Sequence, residues 1–345
     1  MGINAKQFVK LLNKSGVVTE DALKDWLKEN KSDDVKTLAK KSISDGLLTR
    51  WQAKYLLGGK HKLKFGSYVL LERLQTDPIG HRFHGIHKKL NRNVDLLFLS
   101  SDLCKESTRL RELIKKVGAA AEVEHPNLER VYDIDRDDKR YFLVTEHLKG
   151  HAVEELSAKG QLTSRHIAAI ARQTILALTH AHEKGVTHGG LSAGDMMLDK
   201  NRQLKIRNIV QSFLARNLNQ ESNLTTTLPH DDWESLRGIT TQLLKQLPEK
   251  RAVGDCDVLA GLLNSINTDS DFESLSTQLE SWIQNSSQPA ESGTPAPIIP
   301  AIDTGEDSID PAGMSALNID LGDADTSRPE ESFSGLAAIR GEVAE

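Results

Sequence analysis

Segments with the pattern of β-strands are concentrated between residues 67 and 146, whereas helix-like segments dominate from residue 163 onward. Runs of β-branched, aromatic and other apolar residues predict strands over 67–74, 93–100, 130–135 and 141–146, with a helix over 102–122. Apolar residues at helical spacing predict helices over 163–184, 231–246, 256–266 and 271–285. Two short strands, 196–198 and 204–206, are predicted around a turn at 199–201. Strands that come early and helices that come late predict an α+β fold in two lobes.

The first 62 residues form a separate helical region in the prediction. Apolar residues at i, i+3 and i+4 indicate three to four short helices, each with one apolar stripe. Thr19, Ser32 and Thr49 are predicted to be N-caps, and the Gly58-Gly59 pair is predicted to end the last helix. We expect these helices to pack together or onto the next domain.

The last 60 residues, 286–345, form an acidic tail. They contain 12 Asp and Glu against two Arg, six of the ten prolines, and Phe333 as their only aromatic residue. Such a segment buries too little apolar surface to offset its ordering entropy, so we predict that it is disordered. We favour a solvating role for it, and the alternative is that apolar patches such as Ile298-Ile299 anchor it on a partner.

Composition excludes several classes of protein. Cys104 and Cys256 lie far apart, which argues against a disulfide framework or a zinc site built from cysteines. Apolar runs fall short of the ~18 residues of a membrane helix, and the N-terminus lacks the apolar core of a signal peptide. We therefore predict a cytoplasmic protein that binds neither membrane nor nucleic acid.

The order of these elements is accompanied by two short motifs. His125–Asn127 reads HPN, and residues 181–191 read AHEKGVTHGGL. Together they resemble bacterial Ser/Thr protein kinases over roughly residues 65–283, and the preceding stretch LTRWQAKYLLGGKHKLKFGSYVLLERL resembles the approach to the kinase domain in some of them. The resemblance implies a β-rich N-lobe (65–148) and a shortened helical C-lobe (149–285).

The nucleotide-binding elements of kinases are altered at the positions that the resemblance implies. The Gly-rich loop corresponds to residues 75–80, of which only Gly80 is retained. The V-A-x-K strand corresponds to residues 94–97, so Asp95 replaces the alanine beside the adenine and Leu97 replaces the phosphate-binding lysine. A buried, unpaired carboxylate at Asp95 would be costly. These changes argue against ATP binding.

Other nucleotide-binding positions are mixed. The helix glutamate that pairs with the lysine in kinases aligns with Lys116. Thr145 and the hinge positions Glu146 and Leu148 still allow a purine to bind. We treat Gly80, Asp95 and these three residues as the remnant of a nucleotide site.

The catalytic loop has lost its chemical residues in the same alignment. H-R-D-L-K-P-x-N becomes residues 188–195, so Gly190 stands in place of the catalytic aspartate and Asp195 in place of the metal-binding asparagine. Asp195 retains the capacity to ligate Mg²⁺. The D-F-G triplet becomes residues 208–210, so its metal-binding aspartate is replaced by Asn208.

Two residues implied to support the fold are retained. His188 corresponds to the histidine that packs beneath the catalytic loop, and Asp232 to the helix aspartate that braces the backbone of that loop. A metal site built from His188 with His125, His180 and His182 is the alternative. We favour packing or surface roles for these histidines, because His180 and His182 point to different faces of their helix.

These features predict a catalytically inactive pseudokinase that acts as a binding or scaffolding protein in signalling. Its expected partner is a protein, either an active kinase or a kinase substrate, and we expect neither ATP nor Mg²⁺ as a cofactor. One alternative is a degenerate Ser/Thr kinase that still binds ATP and uses Asp195 with an unusual second metal ligand. Another is a purely structural, decayed paralogue with no specific partner.

Overall fold

A computed structural model describes residues 2–286 except 78, 106, 139 and 212–227. The described residues divide into two compact units. The first contains residues 2–104 and 133–147, and the second contains residues 105–132 and 148–286. Residues 105–132, which the sequence analysis assigned to the N-lobe, therefore cluster with the second unit.

The first unit begins with four helices: α1 (Ala5–Ser15), α2 (Glu20–Glu29), α3 (Val35–Ser44) and α4 (Arg50–Leu57). Thr19 and Thr49 are N-caps as predicted. The predicted cap Ser32 is wrong, because the carboxylate of Asp34 accepts the backbone N–H groups of Lys36 and Thr37 at the start of α3. Gly58 follows α4 directly, at the predicted position.

The helical region packs onto the strands that follow it. The buried side chain of Gln52 donates from Nε2 to the carbonyl oxygen of Leu70 at 2.6 Å, and Thr49 donates from Oγ1 to the carbonyl oxygen of Leu71 at 2.6 Å. The ring of Trp51 contacts that of Phe83, with centroids 5.6 Å apart. The helices and the strands consequently belong to the same unit.

The sheet of the first unit has the order β1-β2-β3-β4-β6-β5. Its strands are β1 (Lys64–Phe65), β2 (Tyr68–Asp77), β3 (Gly80–His87), β4 (Arg92–Leu99), β5 (Val131–Asp137) and β6 (Arg140–Glu146). Strand β3 was not predicted. Its sequence, GHRFHGIH, contains two glycines and three histidines, so it lacks the apolar enrichment that marked the other strands. Pairing with β2 and β4 provides the order that its composition does not suggest.

Aromatic rings fill the interior of the first unit. The ring of Phe98 lies 4.6 Å from that of Phe65, 5.6 Å from that of Phe83 and 5.1 Å from that of Phe142, measured between centroids. All four side chains are buried. Aromatic pairs at these separations contribute packing energy beyond the area that they bury.

Two helices follow β4, α5 (Ser101–Lys105) and α6 (Ser107–Ala121). The later chain forms α7 (Val153–Ala158), α8 (Ser164–Glu183), α9 (Pro229–Lys245), α10 (Cys256–Asn264) and α11 (Phe272–Asn285). A short 3₁₀ turn spans Glu249–Arg251. The antiparallel strands β7 (His151–Ala152), β8 (Met196–Leu198) and β9 (Leu204–Ile206) lie among them in this order.

Helix α8 is the central element of the second unit. Its apolar face is fully buried, and α9 and α11 pack against it. Alanines at 168, 171, 177 and 181 allow this close packing because they add little volume. Strands that come early and helices that come late confirm the predicted α+β class.

The predicted disorder of the tail, residues 286–345, lies outside the described residues except for Ser286. Among the residues that are described, every helix is too short or too polar to cross a membrane.

Candidate functional site

The loop between α8 and β8 is held by a buried carboxylate on α9. Asp232, which is fully buried, accepts the backbone N–H of His188 at 2.8 Å and that of Gly189 at 2.7 Å. Its Oδ2 also lies 2.8 Å from Nε2 of His182. Three donors therefore converge on one side chain, and they fix the backbone where the loop leaves α8.

His188 is fully buried beneath the same loop. Its Nε2 lies 2.9 Å from the carbonyl oxygen of Arg207, which immediately follows β9. The ring thereby joins the two sides of the loop. Its position is that of a packing residue, since its side chain has no access to solvent.

The loop itself carries no side chain at Gly190. The preceding residue, Gly189, has φ of 71°, in the left-handed region that favours glycine. The nearest acidic residue along the loop is Asp195, and its carboxylate is engaged by neighbours. Its Oδ2 accepts hydrogen bonds from the backbone N–H of Ser192 at 3.0 Å and from Oγ of Ser192 at 2.6 Å.

The other oxygen of Asp195 is engaged by Asn208. Nδ2 of Asn208 donates to Oδ1 of Asp195 at 2.6 Å, and the backbone N–H of Asn208 donates to the buried Glu129 at 2.8 Å. The NH₂ group of the Asn208 side chain, and not its carbonyl oxygen, must face the carboxylate, because two oxygens at this distance would repel each other. Asn208 has φ of 69°, a conformation that asparagine tolerates better than most residues.

A second polar cluster lies on one face of the sheet in the first unit. The carboxylate of Asp95 on β4, which is 8% exposed, lies 2.7 Å from Nδ1 of His147 and 3.7 Å from Nη1 of Arg82. The ring of His147 stacks on that of His84, with centroids 3.9 Å apart. Asp95 is therefore paired and does not carry the cost of a buried, unpaired carboxylate, because His147 and Arg82, on the strand β3 that was not predicted, lie beside it.

The strand register explains why these side chains meet. Arg82 lies directly opposite Leu97, and His84 lies opposite Asp95, in the pairing of β3 with β4. Thr145 lies opposite Asp95 in the pairing of β4 with β6. Directly paired residues, and residues two apart on one strand, project from the same face of a sheet. The face therefore carries a buried guanidinium across from the buried leucine.

Comparison with known proteins identifies the fold to which both clusters belong. Residues 79–237 match the family model of the protein kinase domain. Over these residues the chain has a protein kinase-like domain, and it is similar to bacterial Ser/Thr protein kinases. It is 25% identical over 142 residues to the serine/threonine-protein kinase PrkC of Bacillus subtilis, which is 41% of this chain and 22% of PrkC.

Two further matches are to a curated protein and to a solved structure. The chain is 26% identical over 149 residues to a hormonally up-regulated neu tumor-associated kinase homolog of Xenopus laevis, 43% of this chain and 22% of that protein. A crystal structure of the Mycobacterium tuberculosis PknI kinase domain matches with a TM-score of 0.49 and 16% identity, over 64% of this chain and 97% of the other. The chain thus spans about a fifth of the length of the curated relatives cited here.

The resemblance assigns Asp195 and Asn208 to the two positions that bind metal in kinases. At these positions the carboxylate and the amide stand in exchanged order. Kinases have asparagine at the end of the catalytic loop and aspartate in the D-F-G triplet, whereas this chain has Asp195 and Asn208 at those positions. Both oxygens of Asp195 are engaged within the protein, and Asn208 presents its N–H groups to Asp195. As they stand, these donors do not fit a resident Mg²⁺.

Two of the positions that the resemblance assigns to the nucleotide site, Leu97 and Gly80, contribute to packing within the sheet. Leu97, where the lysine is expected, is 2% exposed and pairs across the sheet with Leu143. Gly80 is required by a close approach of strands, because a Cβ at this position would lie 1.9 Å from the carbonyl oxygen of Phe98. The presence of glycine at position 80 is therefore explained without a role in phosphate binding.

The remaining predicted positions are placed as follows. Lys116 lies on α6, and Leu148 begins the chain's return to the second unit. Glu146 lies opposite Val94 at the end of β6. In the described parts of the chain, no group of three or more His, Cys, Asp or Glu residues is arranged to hold a metal ion.

Sequence reasoning missed Arg82, His84, His147 and Glu129. The first two lie on the strand that was not predicted, so their register was unknown. Burial lowers the pKa of His84 and the neighbouring His147 lowers it further, which favours the neutral ring. The sequence feature that pointed to this cluster was the presence of three histidines within the eight residues of β3.

Proposed function

We propose that this chain is a pseudokinase, a kinase-fold protein that does not transfer phosphate by the usual mechanism and acts as a binding or scaffolding module in signalling. The observation that carries the proposal is the absence of a side chain at Gly190, on a loop whose backbone is otherwise fixed by Asp232. A substrate hydroxyl would find no general base there. Loss of a general base alone lowers a rate by about 10²–10⁴-fold.

The charges that neutralise a transferring phosphoryl group are also missing or engaged. The lysine position is the buried Leu97. The guanidinium across from it, on Arg82, lies 3.7 Å from the carboxylate of Asp95, so part of its charge is already compensated. Phosphoryl transfer depends mainly on positioning and on such charges.

The contacts that maintain the fold are retained, which supports a binding role. His188 and Asp232 hold the loop even though the loop has no base to position. We infer that the partner is a protein, either an active Ser/Thr kinase or one of its substrates, and that the N-terminal helices and the acidic tail provide additional contact surfaces. Affinity capture with the full chain should enrich kinases or their substrates, and capture of neither contradicts this partner class.

A degenerate transferase is the second candidate, and one observation favours it. Asp195 and Asn208 together still provide one carboxylate and one amide within 2.6 Å of each other, which is the donor set of the kinase metal site in exchanged order. A rotation of the Asn208 amide would present two oxygens to a cation.

A thermal-shift titration of the full chain with ATP, with and without Mg²⁺, separates the two candidates. A ligand that binds only the folded state stabilises it by RT ln(1 + [L]/Kd), where [L] is the free ligand concentration, and so raises Tm. We expect no shift that requires Mg²⁺. A shift of several degrees that requires Mg²⁺, together with phosphate transfer that Asp195→Ala abolishes and the exposed control Glu183→Ala does not, would overturn the proposal.

A further inference from the structure

A small pocket on the second unit lies between α7, the start of α8 and the turn that joins β8 to β9. Its walls are apolar and include Leu156, Leu162 and Leu198, while Lys200 and Arg202 stand at its rim. His166 from the first turn of α8 also lines it. The pocket therefore combines an apolar floor with a cationic edge.

His166 also has a ring nitrogen without a hydrogen-bond partner in the described structure. The backbone N–H of Thr163 donates to Nδ1 of His166 at 3.1 Å, so the neutral ring carries its proton on Nε2. That Nε2 atom is buried and has no hydrogen-bond partner within the part of the chain that the structure describes. A buried N–H without an acceptor costs about 1–3 kcal/mol. A ligand that brings an acceptor to Nε2 would remove this cost.

The surroundings of His166 favour an anionic acceptor. Burial, followed by the positive charges of Arg202, Arg251 and Arg165 in that order, lowers its pKa to about 4. The ring is thus neutral at pH 7, while the three guanidinium groups supply positive charge. The one carboxylate in the lining, that of Asp199, already accepts the backbone N–H groups of residues 201 and 203 through one oxygen.

The chain leaves the described fold beside this pocket. Ser286 packs so closely on Gly254 that a Cβ on the glycine would lie 2.8 Å from that of Ser286. The adjacent Val253 exchanges two hydrogen bonds with Oγ of Ser164, at 2.6 and 2.8 Å. Ser164 is two residues from His166. The acidic tail therefore starts close to the cationic pocket.

We propose that residues 297–310 of this chain's own tail dock in the pocket. The pair Ile298-Ile299 supplies apolar side chains for its leucine walls, and a carboxylate from the acidic residues at 303, 306, 307 and 310 accepts the hydrogen bond of His166 and faces Arg202. Eleven residues, 287–297, lie between Ser286 and Ile298, and the twelve Cα steps span up to about 40 Å when extended. That length reaches the pocket, and the net charge of −10 on the tail complements it.

Photo-crosslinking in the full chain tests the docking. Benzoylphenylalanine at position 299 should crosslink within the same molecule to residues 156–162 and 198–202, whereas the same probe at position 319 should not. The double variant Lys200→Ala/Arg202→Ala should lower the yield at least about fivefold. A mixture of ¹⁵N-labelled and unlabelled chains distinguishes intramolecular crosslinks from those between copies. Crosslinks that are scattered, intermolecular or insensitive to the double variant overturn the proposal.

The titration of His166, followed by NMR in the full chain, provides an independent measurement. A bound carboxylate favours the protonated ring, so neutralising the docked acids should lower the pKa of His166 by about one unit or more. The test variant is Asp303→Asn/Glu306→Gln/Asp307→Asn/Asp310→Asn. The control, with an equal change of charge, is Asp320→Asn/Asp323→Asn/Asp325→Asn/Glu330→Gln. Equal shifts in the two variants would overturn docking of residues 297–310.

Discussion

Asn208 donates a hydrogen bond from Nδ2 to Oδ1 of Asp195 at 2.6 Å, and each residue stands where a kinase has the other type. The exchange preserves one negative charge and one amide at the two positions. The two side chains are joined by a direct hydrogen bond, because the amide provides the N–H donor and the carboxylate provides the acceptor. The pair is therefore a structural link between the catalytic-loop position and the segment after β9.

The first prediction concerns this pair. Asn208→Asp places a second carboxylate beside Asp195 and should lower the free energy of unfolding by about 1–3 kcal/mol, because like charges meet and a hydrogen bond is lost. The double variant Asp195→Asn/Asn208→Asp should be more stable than Asn208→Asp alone, since it restores one carboxylate and one amide. Urea unfolding of both single variants and the double variant gives the coupling energy.

Two further results complete that test. A coupling energy below about 0.5 kcal/mol would mean that the two sites are independent, which contradicts a direct bond. We also expect the double variant to lack phosphate transfer, because Gly190 still provides no base. Transfer by the double variant would show that the order of the metal donors alone controls activity.

The second prediction concerns Asp232, whose buried carboxylate accepts from the backbone of His188 and Gly189. Asp232→Ala leaves these N–H groups and His182 without their acceptor, and should lower the free energy of unfolding by about 3–5 kcal/mol. Glu234→Ala, an exposed carboxylate on the same helix, should change it by less than about 0.5 kcal/mol. Equal effects of the two substitutions in urea unfolding would refute the bracing role.

The sequence predicted most helices and strands because their patterns are local. The roles expected of Asp232 and His188 were implied by the resemblance to kinases and by no local pattern of residues. The sequence did not predict β3, since two glycines and three histidines conceal a strand that tertiary pairing stabilises. That omission hid Arg82, so the partner that the guanidinium gives to Asp95 was not anticipated.

The exchange of Asp195 and Asn208 illustrates a different limit. Both identities were visible in the sequence, but the hydrogen bond between them depends on the positive φ of Asn208 and on its anchor at Glu129. Neither property follows from residue type alone. The pocket at His166 was hidden for the same reason, since it joins segments that are far apart in the chain.

The third prediction concerns the cluster around Asp95. Asp95→Ala removes a carboxylate from beside the buried guanidinium of Arg82, whereas His147→Ala leaves that ion pair in place. We expect losses of about 2–4 kcal/mol and about 1–2 kcal/mol in the free energy of unfolding, respectively. Glu29→Ala, an exposed carboxylate on α2, is the control and should change it by less than about 0.5 kcal/mol. A larger loss for His147→Ala than for Asp95→Ala would contradict the ion pair with Arg82.

The fourth prediction separates a structural from a phosphate-binding role for Gly80. A Cβ at this position would lie 1.9 Å from the carbonyl oxygen of Phe98, so Gly80→Ala must displace β3 from β4 and should cost more than about 2 kcal/mol without any nucleotide present. Gly261→Ala, within α10 and with open space around its Cβ position, should be neutral or stabilise by up to about 1 kcal/mol. Urea unfolding of both variants checks this. If Gly80→Ala kept full stability, the glycine would not be required by the strands, and a role in phosphate binding would become the better explanation of its retention.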